Sequence, residues 1–528
     1  MTTVSDPNGA ATTAARPRRE DWRFGIFSAL AARLPRHGVA TLWLFVGVVL
    51  VYFVTAEYQF LAGINDAQYT AFPAWTLAQN GNLNLDQADV PFPPSVWIFQ
   101  ADGHIRSDRF PGAILLAVPF YWVLGSPTFS LEPAVTSAVV ASAVAIVFLH
   151  RALLRLVSPT VALGTALMTA FGTTVWTIAA DTAWTHAPTL LGLSIGAWGM
   201  SRSSYYGAGV GYAIAIISRP HTAVVAAIEG LWVGVSKRSL VTVLKVGATS
   251  ALGVAGLLLW NRANAGQWTL LPGSYGGRLD AAVTTGPSGQ ANIDLWQRDL
   301  ANTFFSPLRG ILVYSPFILV LIPGVLKAWR SAPPWVRASS VSAIVYLVVQ
   351  LSGNVWNGGT GFFGYRISLE MVYLLVPLGA LAWVEWVSKK RWRRVLFAWV
   401  AGVTVWWFAL GAGAFRLLGE NGVNPLVWDV GRVIGWAGVS GWIVAALFVA
   451  ALFYILKRYD QHVQVASPVV DVNGVADVAG SPDDLGAGDG ASVGDGSDAG
   501  PSKDAPEATE SESGFGAEAA STSTPSAP

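Results

Sequence analysis

Arg366 is the residue whose type and surroundings most clearly suggest chemistry. It opens an apolar stretch and follows a segment with four glycines, Gly358, Gly359, Gly361 and Gly364. Glycine lets the backbone come close to a ligand, and a guanidinium offers a planar fork of donors that fits two phosphate oxygens. We therefore interpret Arg366 as a phosphate-binding residue. Two alternatives stay open: snorkelling to lipid headgroups and a helical pair with Glu370.

Two carboxylates stand at the ends of apolar stretches, where an ionisable side chain is usually functional. Asp66 comes a few residues after the first apolar run, and Asp181 lies in a stretch without other acids. A carboxylate at such a place can act as a general base. The alternative for each is a helix N-cap, with Asp181 or Thr182 capping the helix that contains Pro188.

Three basic residues are weaker candidates. Arg109 precedes an apolar segment that begins with a Pro-Gly pair, and it could bind a phosphate or form a surface ion pair with Asp108. Arg219 precedes a proline, and it either lines a cavity in a broken helix or marks an ordinary turn. For His186 a hydrogen-bonded interfacial histidine is favoured over a phosphate or metal ligand.

The composition excludes an ordinary cytosolic enzyme. Hydrophobic residues make up 53% of the 528 residues and charged residues 12%, whereas soluble proteins carry about 25% charged residues. A chain with so few charges indicates a polytopic membrane protein. The absence of cysteine excludes disulfides, iron–sulfur clusters and thiolate zinc sites.

The hydropathy pattern predicts an all-α transmembrane bundle of about 12 spans. The expected spans are 39–62, 133–150, 160–179, 186–201, 205–218, 221–236, 240–260, 308–327, 337–353, 367–387, 395–413 and 434–456. The apolar segment Pro111–Leu124 is too short to cross comfortably, so it is expected to be an interfacial or re-entrant helix.

Charge divides the chain into three parts. Residues 1–37 form a basic N-terminal segment, 38–458 the transmembrane domain, and 459–528 a tail expected to be disordered, with 13 acidic residues and one base from residue 460 onward. The distribution of lysine and arginine places both termini in the cytoplasm. The long loops 63–132 and 261–307 then face outward, and the first is expected to be structured and to carry interfacial helices.

Five segments together resemble the GT-C superfamily of multispan glycosyltransferases, which use sugars linked to polyprenyl phosphate. The first loop contains GINDAQYTAFPAWTLAQNGNLNLD and ADGHIRSDRFPGAILLAVPFYWVLG, and three more follow: TIAADTAWTHAPTLLGL, GYAIAIISRPHTAVV and WNGGTGFFGYRISLEMVYLLVP. Protein O-mannosyltransferases, the lipid A aminoarabinose transferase and arabinofuranosyltransferases belong to this superfamily. The resemblance covers about residues 39–456.

The resemblance implies a plasma-membrane enzyme whose active site faces outward. Asp66 would deprotonate the acceptor hydroxyl with help from Asp181, Arg366 would hold the donor phosphate with Arg109 or Arg219, and inversion is expected. Trp356 and Asn357 could contact the sugar, although an interfacial tryptophan is the ordinary alternative.

The expected partners are the lipid-linked donor, a glycan, lipid or protein acceptor of the cell envelope, and membrane lipids, with no nucleic acid. No cofactor is predicted, although a divalent metal would be compatible with the superfamily. Two other functions stay open: a transporter or flippase of lipid-linked sugars, and a polymerase or ligase of surface polysaccharide.

Overall fold

The protein is a helical membrane protein, as the sequence predicts. A computed structural model describes residues 36–58, 65–87, 97–125, 127–271, 293–359 and 361–423. Within these ranges six helices are long and apolar enough to cross a membrane: Gly38–Thr55, Glu132–Leu153, Leu240–Ala265, Pro334–Gly353, Leu369–Val387 and Arg391–Gly413. The expected span 434–456 and the acidic tail lie outside the described residues. The side of the membrane that each helix end faces stays a prediction.

The described helices are numbered here in chain order. Helices α1 to α5 span Arg36–Thr55, Asn65–Asn80, Pro111–Leu124, Glu132–Leu153 and Pro159–Phe171. Helices α6 to α9 span His186–Ser201, Tyr205–Ser218, Ala223–Ser236 and Leu240–Ala265. Helices α10 to α16 span Ile293–Phe305, Ile311–Tyr314, Phe317–Leu321, Val325–Ser331, Pro334–Gly353, Leu369–Ala382 and Arg391–Val423. Short 3-10 or π-helical turns cover Leu85–Gln87, Val175–Ala179, Pro220–Thr222, Ile322–Gly324 and Trp383–Val387.

Two expected spans are not continuous α-helices. The segment 160–179 divides into α5 and a π-helical turn, with a break that begins at Gly172. The segment 308–327 divides into α11, α12, a 3-10 turn and the start of α13. Pro316 and Pro323 lie at the breaks, and proline cannot donate the backbone hydrogen bond that a continuous helix needs. The Ser315 hydroxyl donates to the Gly172 carbonyl over 2.8 Å, so the two broken segments meet at their breaks.

Helices α6 and α7 form a closely packed antiparallel pair. A Cβ added to Gly192 would lie 2.5 Å from the Ala215 nitrogen, and one added to Gly199 would lie 2.6 Å from the Ala208 nitrogen. Only residues without a side chain allow backbones this close, the usual device for packing helices in a membrane. The start of α6 and the end of α7 are consequently held side by side.

Helices α7 and α8 form a hairpin. Gly209 of α7 and Gly230 of α8 both approach Val246 of α9, while Gly253, further along α9, approaches Ala213 of α7. Helix α7 therefore runs parallel to α9 and α8 runs antiparallel to it. Arg219 lies between the two helices, immediately before a 3-10 turn. It therefore belongs to the turn of the hairpin and not to one helix that a proline interrupts.

The first loop contains a β-hairpin that the sequence analysis did not predict. Strands β1 (Ile98–Ala101) and β2 (His104–Ser107) pair antiparallel, with Ala101 opposite His104. The two turn residues, Asp102 and Gly103, have φ angles of 52° and 78°. Two successive positive φ angles define the type I′ turn, which matches the twist of the strands and favours Asp-Gly.

The hairpin is attached to two helices. The Ser107 hydroxyl donates to the Tyr69 carbonyl of α2 over 2.6 Å, and the Arg106 guanidinium donates to the Asn264 carbonyl at the end of α9 over 2.8 Å. The expected helix at Pro111–Leu124 is present as α3 with those bounds. A Cβ on Gly112 would lie 2.6 Å from the Ser218 Cα, so α3 begins against the end of α7.

We expect the hairpin to loosen in acid because of Asp86. Its carboxylate lies 2.9 Å from the His104 Nδ1 and accepts from the Ile105 amide over 3.0 Å. The hydrogen bond with His104 lowers the Asp86 pKa, so the stabilisation is complete above the pKa of the unfolded chain, about 3.9. It is lost as the pH falls through the lower pKa of the folded state. Asp86→Asn should reduce the hydrogen-exchange protection of the Ile105 amide at neutral pH.

Asp102→Asn is the matched control for this experiment. Asp102 belongs to the same hairpin, is largely exposed and lies 3.6 Å from Arg106, and asparagine tolerates its positive φ. Protection of Ile105 should be unchanged in this variant. Equal protection in wild type and Asp86→Asn would contradict the role given to Asp86.

Candidate functional site

A buried polar cluster joins three helix ends. The Arg219 guanidinium donates to the Glu370 Oε1 over 2.8 Å, and the His186 Nδ1 lies 2.7 Å from the same oxygen. The Arg219 Nη1 also lies 2.8 Å from the His186 Nδ1. Glu370 and His186 are fully buried and Arg219 is 8% exposed. The structure thus brings together two of the predicted residues, around a glutamate.

Each member of this cluster lies at a helix terminus. His186 is the first residue of α6, Arg219 immediately follows α7, and Glu370 is in the first turn of α15. An acid in the first turn is stabilised by the backbone amides and dipole of its helix. The close packing of α6 and α7 aligns the first two residues, and Glu370 connects them to α15. We call this part of the molecule the site end.

Arg366 lies beside this cluster and stacks on Trp184. The centre of its guanidinium is 4.0 Å from the Trp184 ring centroid, and its Nη1 donates to the Gly358 carbonyl over 3.2 Å. Arg366 is half-buried, whereas Trp184 is 4% exposed. Trp184 lies in the turn that leads into His186. A guanidinium stacked on an aromatic face gains cation–π attraction while its edge stays available for hydrogen bonds.

The glycine-rich segment before Arg366 is held by a third arginine. Arg309 is 3% exposed, and its guanidinium donates to the carbonyls of Phe362 over 2.7 Å and Gly359 over 3.3 Å. The Thr177 hydroxyl donates to the Phe363 carbonyl over 2.8 Å. These bonds fix the loop against the π-helical turn and thereby set the position of Arg366.

A hydrogen-bonded stripe on α14 leads from the buried cluster toward the surface. Tyr346, Gln350 and Asn354 are spaced four residues apart, so they follow one face. Gln350 donates to the Tyr346 hydroxyl over 2.8 Å, and Asn354 donates to the Gln350 Oε1 over 2.8 Å. The His221 Nε2 lies 3.1 Å from the Tyr346 hydroxyl. The stripe adds neutral polar groups to the charged groups of the cluster.

The two acids predicted to be catalytic lie in different settings. Asp181 is partly exposed in the turn before α6, and its carbonyl accepts from the Glu57 amide over 2.6 Å. The capping interpretation is wrong, because α6 begins at His186 with Thr185 in the N-cap position and no side-chain cap. Asp66 is in the first turn of α2, and its side chain lies outside the described residues.

Arg109 lies next to the site end. Helix α3 begins two residues after it and packs against the end of α7, from which Arg219 follows. The Arg109 guanidinium lies 3.6 Å from the Trp97 ring centroid, and the Asp108 amide donates to the Trp97 carbonyl over 2.8 Å. Arg109 is 6% exposed, so it lies inside the protein, and both the phosphate contact and the ion pair with Asp108 stay predictions.

Trp356 and Asn357 belong to the loop that carries Arg366. Trp356 is partly buried and packs against the hydrophobic core. The Asn357 Oδ1 accepts from the Gly359 amide over 3.1 Å, so this side chain shapes the turn in which it lies. Both are near the predicted phosphate-binding residue in the chain, and their contact with a sugar stays a prediction.

Three functional candidates escaped the sequence analysis. Glu370 was considered only as a helical partner of Arg366, yet it bonds to Arg219 and His186. Trp184 and Arg309 drew no attention, because a tryptophan and an arginine at a membrane interface are ordinary features. For Glu370 the sequence did contain a signal, because an acidic residue in the first turn of an apolar helix is rare unless it has a charged partner.

No three metal-binding side chains cluster in a way that could hold a metal ion within the described part of the chain. The groups that the cluster offers are instead two arginines, a histidine and a buried carboxylate. Of the two arginines, Arg219 is paired with Glu370, whereas Arg366 stacks on Trp184.

Comparisons with known proteins find low similarity to solved structures and no match by sequence. No family model matches the sequence, and no curated protein matches it. ArnT from Cupriavidus metallidurans in the apo state is similar to the chain with 15% identity and a TM-score of 0.44, over 79% of this chain and 72% of that one. The same protein bound to undecaprenyl phosphate gives 16% identity and a TM-score of 0.39, over 73% of each chain.

Glu370→Gln tests whether the buried cluster holds the three helices together. Removing the carboxylate leaves the Arg219 charge buried without compensation, which we expect to cost about 3 kcal/mol of stability. The midpoint of thermal unfolding in detergent should fall clearly below that of wild type. Glu385→Gln, in the partly exposed turn after the same helix, should unfold like wild type. Equal midpoints for the two variants would contradict this account.

Gly364→Ala tests the fixed shape of the glycine-rich loop. Gly364 has a φ of 93°, and an added Cβ would lie 2.5 Å from the Thr174 Cγ2. Gly359 has a similar φ of 92° with nothing within 4 Å of its Cβ position. Backbone strain alone costs about 1 kcal/mol, so Gly359→Ala should lower the unfolding midpoint slightly. Gly364→Ala should lower it more, and equal effects would show that the contact with Thr174 is unimportant.

Proposed function

We propose that the protein is a membrane glycosyltransferase that moves a sugar from a polyprenyl-phosphate-linked donor to a hydroxyl of a cell-envelope acceptor. The observation that carries this proposal is the half-buried Arg366 beside the Arg219–Glu370–His186 cluster, at one end of an apolar bundle. Ionisable side chains that are buried in an apolar bundle cost free energy and often mark binding sites. A phosphate attached to a lipid chain is the anion that reaches such a place from the bilayer.

Arg366 is the best placed of the three arginines to hold the donor phosphate. Arg219 is almost fully buried, and Glu370 compensates its charge. Arg109 is also buried, with its guanidinium against Trp97. Arg366 is half-buried and stacked, so it can approach an anion without leaving its place. In this proposal Arg219 is a positioning residue, because its ion pair with Glu370 holds the end of α7 against the start of α15.

Holding the phosphate also promotes the reaction. As the bond between the anomeric carbon and the phosphate oxygen breaks, negative charge grows on that oxygen, and a fixed guanidinium stabilises it. The acceptor oxygen forms the new bond to the anomeric carbon from the opposite face. Its proton passes to a carboxylate, for which Asp66 is the proposed base with Asp181 assisting. The products are the inverted glycoside and the polyprenyl phosphate.

Arg366→Gln and Asp66→Asn separate donor binding from proton transfer. With purified full-length protein and a polyprenyl-phosphate sugar, Arg366→Gln should lower kcat/KM by about 100-fold, through weaker donor binding together with lost stabilisation of the leaving phosphate. Asp66→Asn should lower kcat by about 100-fold or more while leaving donor affinity near the wild-type value. Sugar transfer is measured from radiolabelled donor.

Two substitutions control for general effects of lost charge. Arg262→Gln removes a more exposed arginine near the end of α9, and Asp102→Asn removes an exposed acid of the first loop. Both variants should transfer sugar at the wild-type rate. Normal transfer by Asp66→Asn would exclude the proposed base, and normal donor binding by Arg366→Gln would exclude the proposed phosphate contact.

A carrier of lipid-linked sugars is the second candidate, because the bundle contains another buried acid. Glu229 of α8 is 2% exposed and accepts from the Tyr212 hydroxyl over 2.5 Å. Carriers place ionisable groups inside several helices to couple ion movement to transport. Movement of labelled lipid-linked sugar across proteoliposomes without any sugar transfer would favour the carrier over the transferase.

A further inference from the structure

Trp184 carries a polar group that nothing in the described protein satisfies. The side chain is 4% exposed, and its Nε1 is buried without a hydrogen-bond partner among the residues that the structure describes. The Thr182 hydroxyl, in the same turn, is in the same condition at 1% exposure. A buried indole N–H usually finds a partner, since leaving one unsatisfied costs free energy. Other buried polar atoms of the described protein also lack a partner, but these two lie in one turn beside Arg366, where a bound anion can supply it.

The stacking geometry identifies the class of ligand. The guanidinium of Arg366 lies over the Trp184 ring at 4.0 Å from its centroid. Both groups donate in their own planes, so a tetrahedral anion that lies beside both can accept from each through a different oxygen. A phosphate has oxygens on several sides and fits this arrangement, whereas a hydroxyl group has one oxygen.

We propose that the Trp184 indole N–H is a phosphate-binding donor that acts with the Arg366 guanidinium on the same phosphate of the lipid carrier. This inference rests on the proposed function, because it assigns a further residue to that binding site. Trp184 then has two roles: its face holds Arg366 in place, and its edge donates to the phosphate. The nearby Glu370 carboxylate already pairs with Arg219 and contacts His186. The positive charge of Arg366 therefore compensates the negative charge of a bound phosphate.

Trp184→Phe tests the indole N–H separately from the ring face on which Arg366 stacks. Phenylalanine keeps an aromatic surface for Arg366 and lacks the N–H. The dissociation constant of undecaprenyl phosphate, measured on full-length protein in detergent, should rise about tenfold, the effect of one hydrogen bond to a charged group. The unfolding midpoint without ligand should fall only by the amount that a smaller buried ring costs, because no hydrogen bond within the described protein is lost. Binding of undecaprenol, which lacks the phosphate, should be unchanged.

A matched tryptophan and a double variant complete the test. Trp260 of α9 also has a buried Nε1 without a partner in the described part of the chain, and Trp260→Phe should bind undecaprenyl phosphate like wild type. In an Arg366→Gln background, Trp184→Phe should add less than its tenfold effect, because the shared phosphate is already poorly held. Benzothienylalanine at position 184 keeps the bicyclic shape without the N–H, and it should weaken binding as phenylalanine does.

The outcomes distinguish this inference from the function on which it rests. If wild type binds undecaprenyl phosphate and both replacements at position 184 bind it equally well, the phosphate contact of Trp184 is overturned and the transferase proposal survives. If wild type binds no undecaprenyl phosphate, both are overturned. Weaker binding by the position-184 variants with unchanged undecaprenol binding supports the contact.

Discussion

The buried ion pair between Arg219 and Glu370 is the interaction on which the site depends. In an apolar bundle two opposite charges are tolerated only when they meet at close range. His186 adds a further contact, 2.7 Å from the same Glu370 oxygen. The pair therefore requires the start of α6, the end of α7 and the start of α15 to lie together. The glycines of α6 let it pack closely against α7, and this packing alone brings the start of α6 and the end of α7 together.

The arginines of the site end divide into positioning and ligand-facing groups. Arg219 bonds to a carboxylate, Arg309 bonds to backbone carbonyls of the glycine-rich loop, and Arg106 joins the first-loop hairpin to the end of α9. These contacts fix elements that come from distant parts of the sequence. Arg366 differs because it is half-buried and stacked on Trp184. The rigid surroundings hold its guanidinium in one orientation, which lowers the entropic cost of binding an anion.

Much of the helical architecture was predictable, because a long apolar segment in a membrane has few alternatives to a helix. The helices at 186–201, 205–218 and Pro111–Leu124 begin and end where the hydropathy pattern indicates. The hairpin at Ile98–Ser107 also had a signal, the Asp102-Gly103 pair between two strand-like segments, which went unused. The breaks at Pro316 and Pro323 were likewise visible as prolines inside an apolar run. Hydropathy averaged over a window does not detect these breaks, because it depends only on composition and not on the backbone hydrogen bond that each proline removes.

The sequence by itself determined that this is a helical membrane protein, and it singled out Arg366, Arg219 and His186 as residues worth testing. Composition and local spacing carry that information, since both depend on neighbours along the chain. Only the tertiary structure decided that His186 and Arg219 share Glu370, that Arg366 stacks on Trp184, and that Arg309 holds the glycine-rich loop. The partners in these contacts are separated by up to 184 residues. No local pattern records such pairings, because they arise from the packing of helices whose order in space is independent of their spacing in the sequence.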